Sequence, residues 1–571
     1  MEDKDIAAVL EEMATLMELN GENPFRCRAF ANAARQVETL ETTVAELIQR
    51  GELGSVRGIG KGLVADITEL IETGQIAAHG ALLAATPPGL MDMLAIPGLG
   101  AKRVRTIHEK LGVQEIPGLA EACESGEIAK LSGFGMKTAQ RILEGIEFIN
   151  QHRGQHLLST AASEAASLRG HLLSHPSVVR LEVAGSVRRF KETTKDVDLV
   201  ASSNEPAELT EAFVTHLDVE RVVSSGETKS AIQLTSGMQA DLRIVDDAAF
   251  PFALAHFTGS REHNTLMRQR AKVRGMKLNE YGLFKGDELI GCGDETSIYR
   301  ALDLSLIPPE LREGLGEIEQ AEQGEIAELV CDAHMRGDLH MHSTASDGRV
   351  DIAGMARAAG DRGYAYIAIC DHSKSAGYAN GLTEARVRDQ WGEIDRVNGA
   401  GGDVRVLKGI EVDILGDGQV DFGDDLLSEF DLVIASVHSR FRMTQEEATE
   451  RIVRAVRNPH VDILGHPSGR LLLTREGYPL DTRAVIDAAA ESGTAIELNA
   501  NPHRLDLDWR HLGHARERGV KIAINTDAHS VEGLDDMRYG TGIARKGGLG
   551  PGDVLNALEL DALLECLKRH A

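Results

Sequence analysis

The sequence predicts a multidomain protein: helical at its amino end, mixed α/β in the middle, and a β/α barrel at its carboxyl end. Three observations carry that reading. A Gly-apolar-Gly turn precedes helical sequence three times, at Arg57 to Gly62, Pro97 to Lys102 and Ser132 to Lys137. Asp196 and Asp198 open one short apolar run, and Asp241 heads another. Beyond residue 336, apolar runs of strand length end repeatedly on His, Asp or Glu, with helix-length segments between them. At 571 residues the chain exceeds one ordinary core.

A hydrophobic content of 42% and a charged content of 26% are those of a soluble globular protein. The net charge of −28 argues against a broad nonspecific coat for nucleic acid. It leaves room for a small basic channel or for backbone-amide contacts to phosphate. The cysteines, Cys27, Cys123, Cys292, Cys331, Cys370 and Cys566, form no CxxC pair, so reduced structural thiols are expected. No run reaches membrane-spanning length and the amino terminus is acidic, so a cytoplasmic location with no membrane partner is expected. A monomer is the working expectation.

In chain order, residues 1–80 read as helical, with Ile6, Val9, Leu10, Met13 and Met17 at helix spacing. The turn glycines, Gly58 and Gly60, Gly98 and Gly100, Gly133 and Gly135, can set successive backbone N–H groups against a phosphate at a helix start. Residues 81–150 carry the second and third turns, with Thr86 to Gly89 as a boundary. Gln151 to Arg169 reads as one helix leading into residues 151–245, where Val178 to Val183, Val222-Val223 and Ala231 to Leu234 read as strands and Glu208 to Leu217 as a helix. On a strand, Asp196 and Asp198 point to one face, while Val197 and Leu199 point to the other. With Asp241 on a neighbouring strand, these carboxylates can hold two Mg²⁺ ions roughly 4 Å apart, the arrangement for in-line phosphoryl transfer. Gly185, Ser186 and Arg189 would supply a turn, a hydroxyl and a cationic fork for phosphates.

Residues 246–315 contain Phe257-Thr258-Gly259-Ser260, followed by Asn264 and Arg268. Glu310, Glu313, Glu317, Glu319, Glu322, Glu325 and Glu328 then read as a mostly solvated, acidic helical face, with residues 316–335 as a linker. In residues 336–571, His340, His342, Asp347, His372, Glu411, His438, His466, Asp527 and His529 stand at or just beyond strand ends, where a barrel gathers distant residues. Imidazoles with carboxylates suit Zn²⁺, Mn²⁺ or iron, and this many donors can hold more than one ion. Arg440 and Arg470 are secondary candidates for phosphate contact.

GSVRR at 185–189, DVD at 196–198, DLR at 241–243, FTGS at 257–260 leading to Asn264, and Asn279 to Phe284 together resemble a family X DNA polymerase, across roughly residues 20–310. The three glycine turns resemble helix-hairpin-helix modules, and residues 336–571 resemble a PHP (polymerase and histidinol phosphatase) domain. The resemblance implies a nucleotidyltransferase palm and thumb beside a distorted β/α barrel of PHP type. It implies gapped or primed DNA and deoxynucleoside triphosphates as partners, gap filling in repair, and a nucleoid-associated location. In the palm, Asp196 and Asp198 would bind both Mg²⁺ ions (or Mn²⁺) and Asp241 the one at the primer terminus. Ser186 and Arg189 would meet the incoming phosphates, Phe257 the sugar, Asn264 the base, and Arg268 the template side.

In the barrel the resemblance implies up to three Mn²⁺, Zn²⁺ or iron ions. His340, His342, Glu411 and Asp527 would hold the first, Glu411, His438 and His466 the second, and Asp347, His372 and His529 the third, for a 3′-to-5′ exonuclease or cleavage at abasic sites. Two departures stand out. His256 replaces a tyrosine common in the family, and Gly62 and Asp66 stand where relatives with lyase activity place lysines, so little lyase activity is expected. Two other readings stay open: a DNA phosphoesterase whose palm only positions DNA, and a noncatalytic DNA scaffold.

Overall fold

A computed structural model describes residues 3–37, 40 and 42–567; Met1, Glu2 and the last four residues of the expected carboxyl-terminal domain lie outside them. The chain divides into two compact units, Met1–Arg153 and Gly154–Ala571.

The first unit is helical and has two cores. One gathers Ile6, Leu10, Met13, Phe30, Ile59, Ile67 and Leu70, and the other Leu90, Met93, Leu99, Val104, Ile107, Leu119 and Ile142. Helices Lys61–Thr73, Ala101–Leu111 and Met136–His152 each start directly after the second glycine of a Gly-apolar-Gly turn. The middle apolar residues Ile59 and Leu99 are buried, which anchors those two turns to the core while their glycines face outward.

The second unit starts differently from what the sequence suggests. A single helix from Gln151 to Arg169 does not form: Met136–His152 ends, His156–Leu157 pairs antiparallel with Thr193–Thr194, and a new helix runs Leu158–Leu173. The break falls at Gly154, which takes φ +70°, a conformation glycine adopts without steric cost. A five-stranded sheet follows in the order Val178–Val183, Asp196–Ser203, Gln239–Val245, Lys229–Leu234, Val219–Ser224. Only its central pair, Asp196–Ser203 with Gln239–Val245, is parallel.

Helices Phe250–Thr258 and Arg261–Val273 lead to a small antiparallel sheet at residues 277–290. The acidic stretch beyond it is, as expected, mostly solvated, with three exceptions. Glu310 and Glu317 are buried and Glu313 nearly so, because Arg545, His263, Arg189 and Lys546 converge on them; Glu319, Glu322, Glu325 and Glu328 stay exposed.

Residues from Gly337 onward form seven parallel strands in sequence order, every strand except the edge residue Arg405 and Lys408 fully buried. The last strand returns to the first: Met341 bridges Ala528, and Asp527 N–H donates to His340 O at 2.9 Å. This is a nearly closed parallel barrel, and one continuous apolar core runs from the central sheet into it.

Candidate active sites

The parallel pairing sets Asp198 directly beside Asp241, with Asp196 two residues back on the same face. Val197 and Leu199 are fully buried on the opposite face, so the strand's alternation is what turns the carboxylates outward. Gly185 has φ +61°, and a Cβ there would collide with Asp198 Oδ2; only glycine lets this turn lie against the acid. Burial, then the charges of Asp196 and Asp241, push the Asp198 carboxyl up to about 7. Burial and Asp241 raise Asp196 as well. Carboxylates that resist ionising together are a fit for divalent cations, which reverse that penalty.

Around the acids, Ser186 Oγ bonds Thr194 Oγ1. Arg189 Nη1 lies 3.1 Å from where a Cβ on Gly259 would stand, donates to Thr258 O, and its Nε donates to Glu313 at 3.2 Å. The Arg189 charge is felt at Asp198, where it works against the upward push, yet the side chain is already engaged. Phe257 lies under Arg243, 4.9 Å from the ring centroid, and Asn264 Nδ2 donates to His256 O at 2.7 Å. Asn264 and the exposed Arg268 line one small pocket with His256 and Asn279.

In the barrel, Glu411 sits at the middle. His372 Nδ1 is 2.8 Å from its carboxylate, His466 Nε2 3.1 Å, His438 Nε2 3.3 Å, His340 Nε2 3.6 Å and His342 Nε2 3.8 Å. Asp527 lies 3.1 Å from His342 Nε2. Asp347 lies 3.6 Å from His372 Nε2 and 3.5 Å from His529 Nε2.

Three donor sets close tightly enough to share an ion: His342 with Asp347, His372 and His529; His340 with His342 and Asp527; His372 with Glu411 and His438. His342 and His372 thus each serve two sets, which differs from the partition the resemblance implies, while His466 approaches through Glu411. Buried ring nitrogens His340 Nε2 and His342 Nδ1 have no hydrogen-bond partner, as donors for a cation should be. Although burial opposes it, His340, His372 and His438 hold Glu411 well below the usual carboxylate range. Burial likewise works against His372 and His438, yet Glu411 and its neighbours lift them to about 10 and about 9.

The sequence marks Ile496 to Asn499 as a further strand end but gives no role to the two carboxylates that aim these imidazoles. Glu497 lies 2.7 Å from His340 Nδ1 and accepts His466 N–H at 2.7 Å, and Asp413 lies 2.6 Å from His438 Nδ1. Each carboxylate fixes one ring nitrogen so that the other faces Glu411. Asp413 was findable, because it is two residues from Glu411 on one strand face. His466 and Asp527 have φ of +23° and +55°, a backbone strain held by the surrounding barrel. Arg470 is not a free phosphate contact: it donates to Asp508 at 2.9 Å and to Arg504 O. Arg440 is exposed just beyond His438.

The glycine turns have a common geometry. Gly58, Gly98 and Gly133 have φ of +92°, +79° and +83°, and Gly60, Gly100 and Gly135 are N-caps with no side-chain cap bond. A Cβ on Gly60, Gly98, Gly100, Gly133 or Gly135 would meet nothing within 4 Å, so the room is not used inside the protein.

Comparison with known proteins gives four family matches: a helix-hairpin-helix domain over residues 1–76, a SAM-like helix-hairpin-helix tandem over 90–147, a DNA polymerase beta thumb over 253–313, and a PHP domain over 338–501. The chain is 41% identical over 574 residues to the DNA polymerase/3′-5′ exonuclease PolX of Bacillus subtilis, covering 100% of each. The chain belongs to the family X DNA polymerases that carry a PHP domain. The chain is also similar to a probable phosphatase of Caldanaerobacter subterraneus, 34% identical over 22% of this chain and 51% of that one. A probable phosphatase of Syntrophotalea carbinolica is 29% identical over 38% of this chain and 90% of its own length. No helix among the described residues is long and apolar enough to cross a membrane.

Proposed function

We propose that this chain is a template-directed polymerase filling short gaps during DNA repair, joined to a metal-dependent 3′-to-5′ exonuclease in the barrel. The observation that carries the proposal is the pair of cation-gathering centres within one compact unit: the Asp196, Asp198 and Asp241 trio, and the cluster around Glu411. Full-length similarity to a protein named for both activities supports it.

In the palm, Asp196 and Asp198 would hold two Mg²⁺ or Mn²⁺ ions and Asp241 the one nearest the primer 3′-oxygen. Such ions align attacking and leaving oxygens in phosphoryl transfer. The Gly185 turn and Ser186 would receive the triphosphate, with Arg189 answering its charge. Phe257, Gly259 and Asn264 would form the floor beneath the nucleotide, and Arg268 would reach the template.

In the barrel, the nine His, Asp and Glu side chains would hold up to three Mn²⁺, Zn²⁺ or iron ions. Glu497 and Asp413 orient the imidazoles, and the barrel wall keeps the centre dry on its inner side. Similarity to probable phosphatases supports a phosphoesterase reaction there, extending to 3′-phosphates or abasic sites. The glycine turns would grip DNA through backbone N–H groups. The enzyme would act as a monomer in the cytoplasm, on nucleoid DNA.

Gapped DNA incubated with and without deoxynucleotides tests both centres in one assay. Asp198→Asn is expected to lower labelled-nucleotide incorporation by about a thousandfold and to leave 3′ trimming intact; incorporation that survives it removes the palm assignment.

A further inference from the structure

The segment that follows the phosphate-binding turn is seated on the barrel domain. Phe190, at φ +52°, lays its ring against Gly542, where any Cβ would overlap it. Glu192 accepts the Trp509 indole N–H at 3.2 Å and lies 3.5 Å from Arg470 and 3.6 Å from Arg510. Between these anchors and the palm acids runs a chain of charge. Glu313 Oε1 accepts from Arg189 Nε at 3.2 Å and from Lys546 Nζ at 2.5 Å, and Lys546 also donates to the Arg189 carbonyl at 3.0 Å. The Lys546 side chain is 0% exposed, and those of Arg189 and Glu313 are 11% and 12%, so water screens the trio little.

One carboxylate oxygen thus serves two cations. Whatever Lys546 draws from Glu313 is withdrawn from the hold that Glu313 has on Arg189. A triphosphate must compete with Glu313 for that guanidinium, because its second contact, to Thr258 O, is to a neutral group.

We infer that Lys546 of the barrel domain is a positioning residue for the polymerase: by sharing Glu313 it keeps Arg189 available to the incoming nucleotide. The nuclease domain would then supply part of the nucleotide affinity of the polymerase. This rests on Arg189 contacting triphosphate, so Arg189→Ala is measured alongside.

The test is steady-state incorporation on gapped DNA by the full chain, separating KM for the deoxynucleotide from kcat, with 3′ trimming and thermal melting as checks of fold. Lys546→Met should raise KM about tenfold with kcat nearly unchanged, and Lys546→Arg should restore it. Lys546→Met with Glu313→Gln should bring KM most of the way back, since the competitor is then gone. An unchanged KM in Lys546→Met, or a double variant no better than the single, overturns the inference and leaves Lys546 as packing. If Lys546→Met fails to fold, Glu313→Gln alone decides: KM should fall, and a KM that rises or stays put overturns the inference. A normal KM in Arg189→Ala would instead sink the reading of Arg189.

Discussion

On the palm, half-buried carboxylates face one another with no imidazole among them, and the pairing of two parallel strands leaves Asp198 reluctant to ionise. In the barrel, Glu411, Asp347 and Asp527 lie among histidines, and the opposite charges hold these acids far below their usual range. The first arrangement is at odds with itself until cations arrive. The second is balanced by protons, which must leave as metal enters. The two centres therefore differ in what a cation would relieve: mutual repulsion in the palm, bound protons in the barrel.

The strongest way to break this contrast is Glu411→Gln. With the central carboxylate gone, 3′ trimming should fall by about a thousandfold and elemental analysis after dialysis should find the barrel depleted of metal, while incorporation with Mg²⁺ persists. Loss of both activities together would mean that the centres are not separate. A smaller effect sharpens the role of the aiming groups. Glu497→Gln and Asp413→Asn should each weaken metal retention or trimming by roughly 10- to 100-fold, read by competition with a chelator; equal retention in variants and parent would reduce these acids to packing.

Asp462 provides the control for burial itself. It stands in the barrel wall with no cation paired to it among the described residues, accepts Val433 N–H at 2.9 Å, and is pushed up to about 7 by burial, with that bond opposing. The folded value lies above the unfolded one, so its contribution to stability is full below pH ~4 and lost as pH rises toward 7. Asp462→Asn should thus gain on the parent between pH 5 and 8, by on the order of 3 kcal/mol in denaturant titrations. A pH-independent difference would show that burial alone does not raise a carboxyl here.

Much of both centres was legible because strand periodicity and strand ends carry their own signal. Asp196, Asp198 and Asp241 announce a shared face, and the barrel ligands fall where apolar runs stop. Partnerships across long sequence distances were not legible. Glu313 reads as solvent-facing until Lys546, more than two hundred residues later, is folded against it. Arg470 reads as a spare cation until Asp508 and Glu192 are in place. The helix break near Gly154 was hidden because its two flanks share helical periodicity, and only pairing of His156–Leu157 with Thr193–Thr194 separates them.

The open space around the glycine turns has a bearing on how this enzyme tolerates change. A grip made of main-chain amides is blind to base order and owes nothing to neighbouring side chains. On the proposed reading, the exposed residues flanking those turns would be at liberty to vary, and that part of the hold on nucleic acid would fall on positions whose virtue is having no side chain at all.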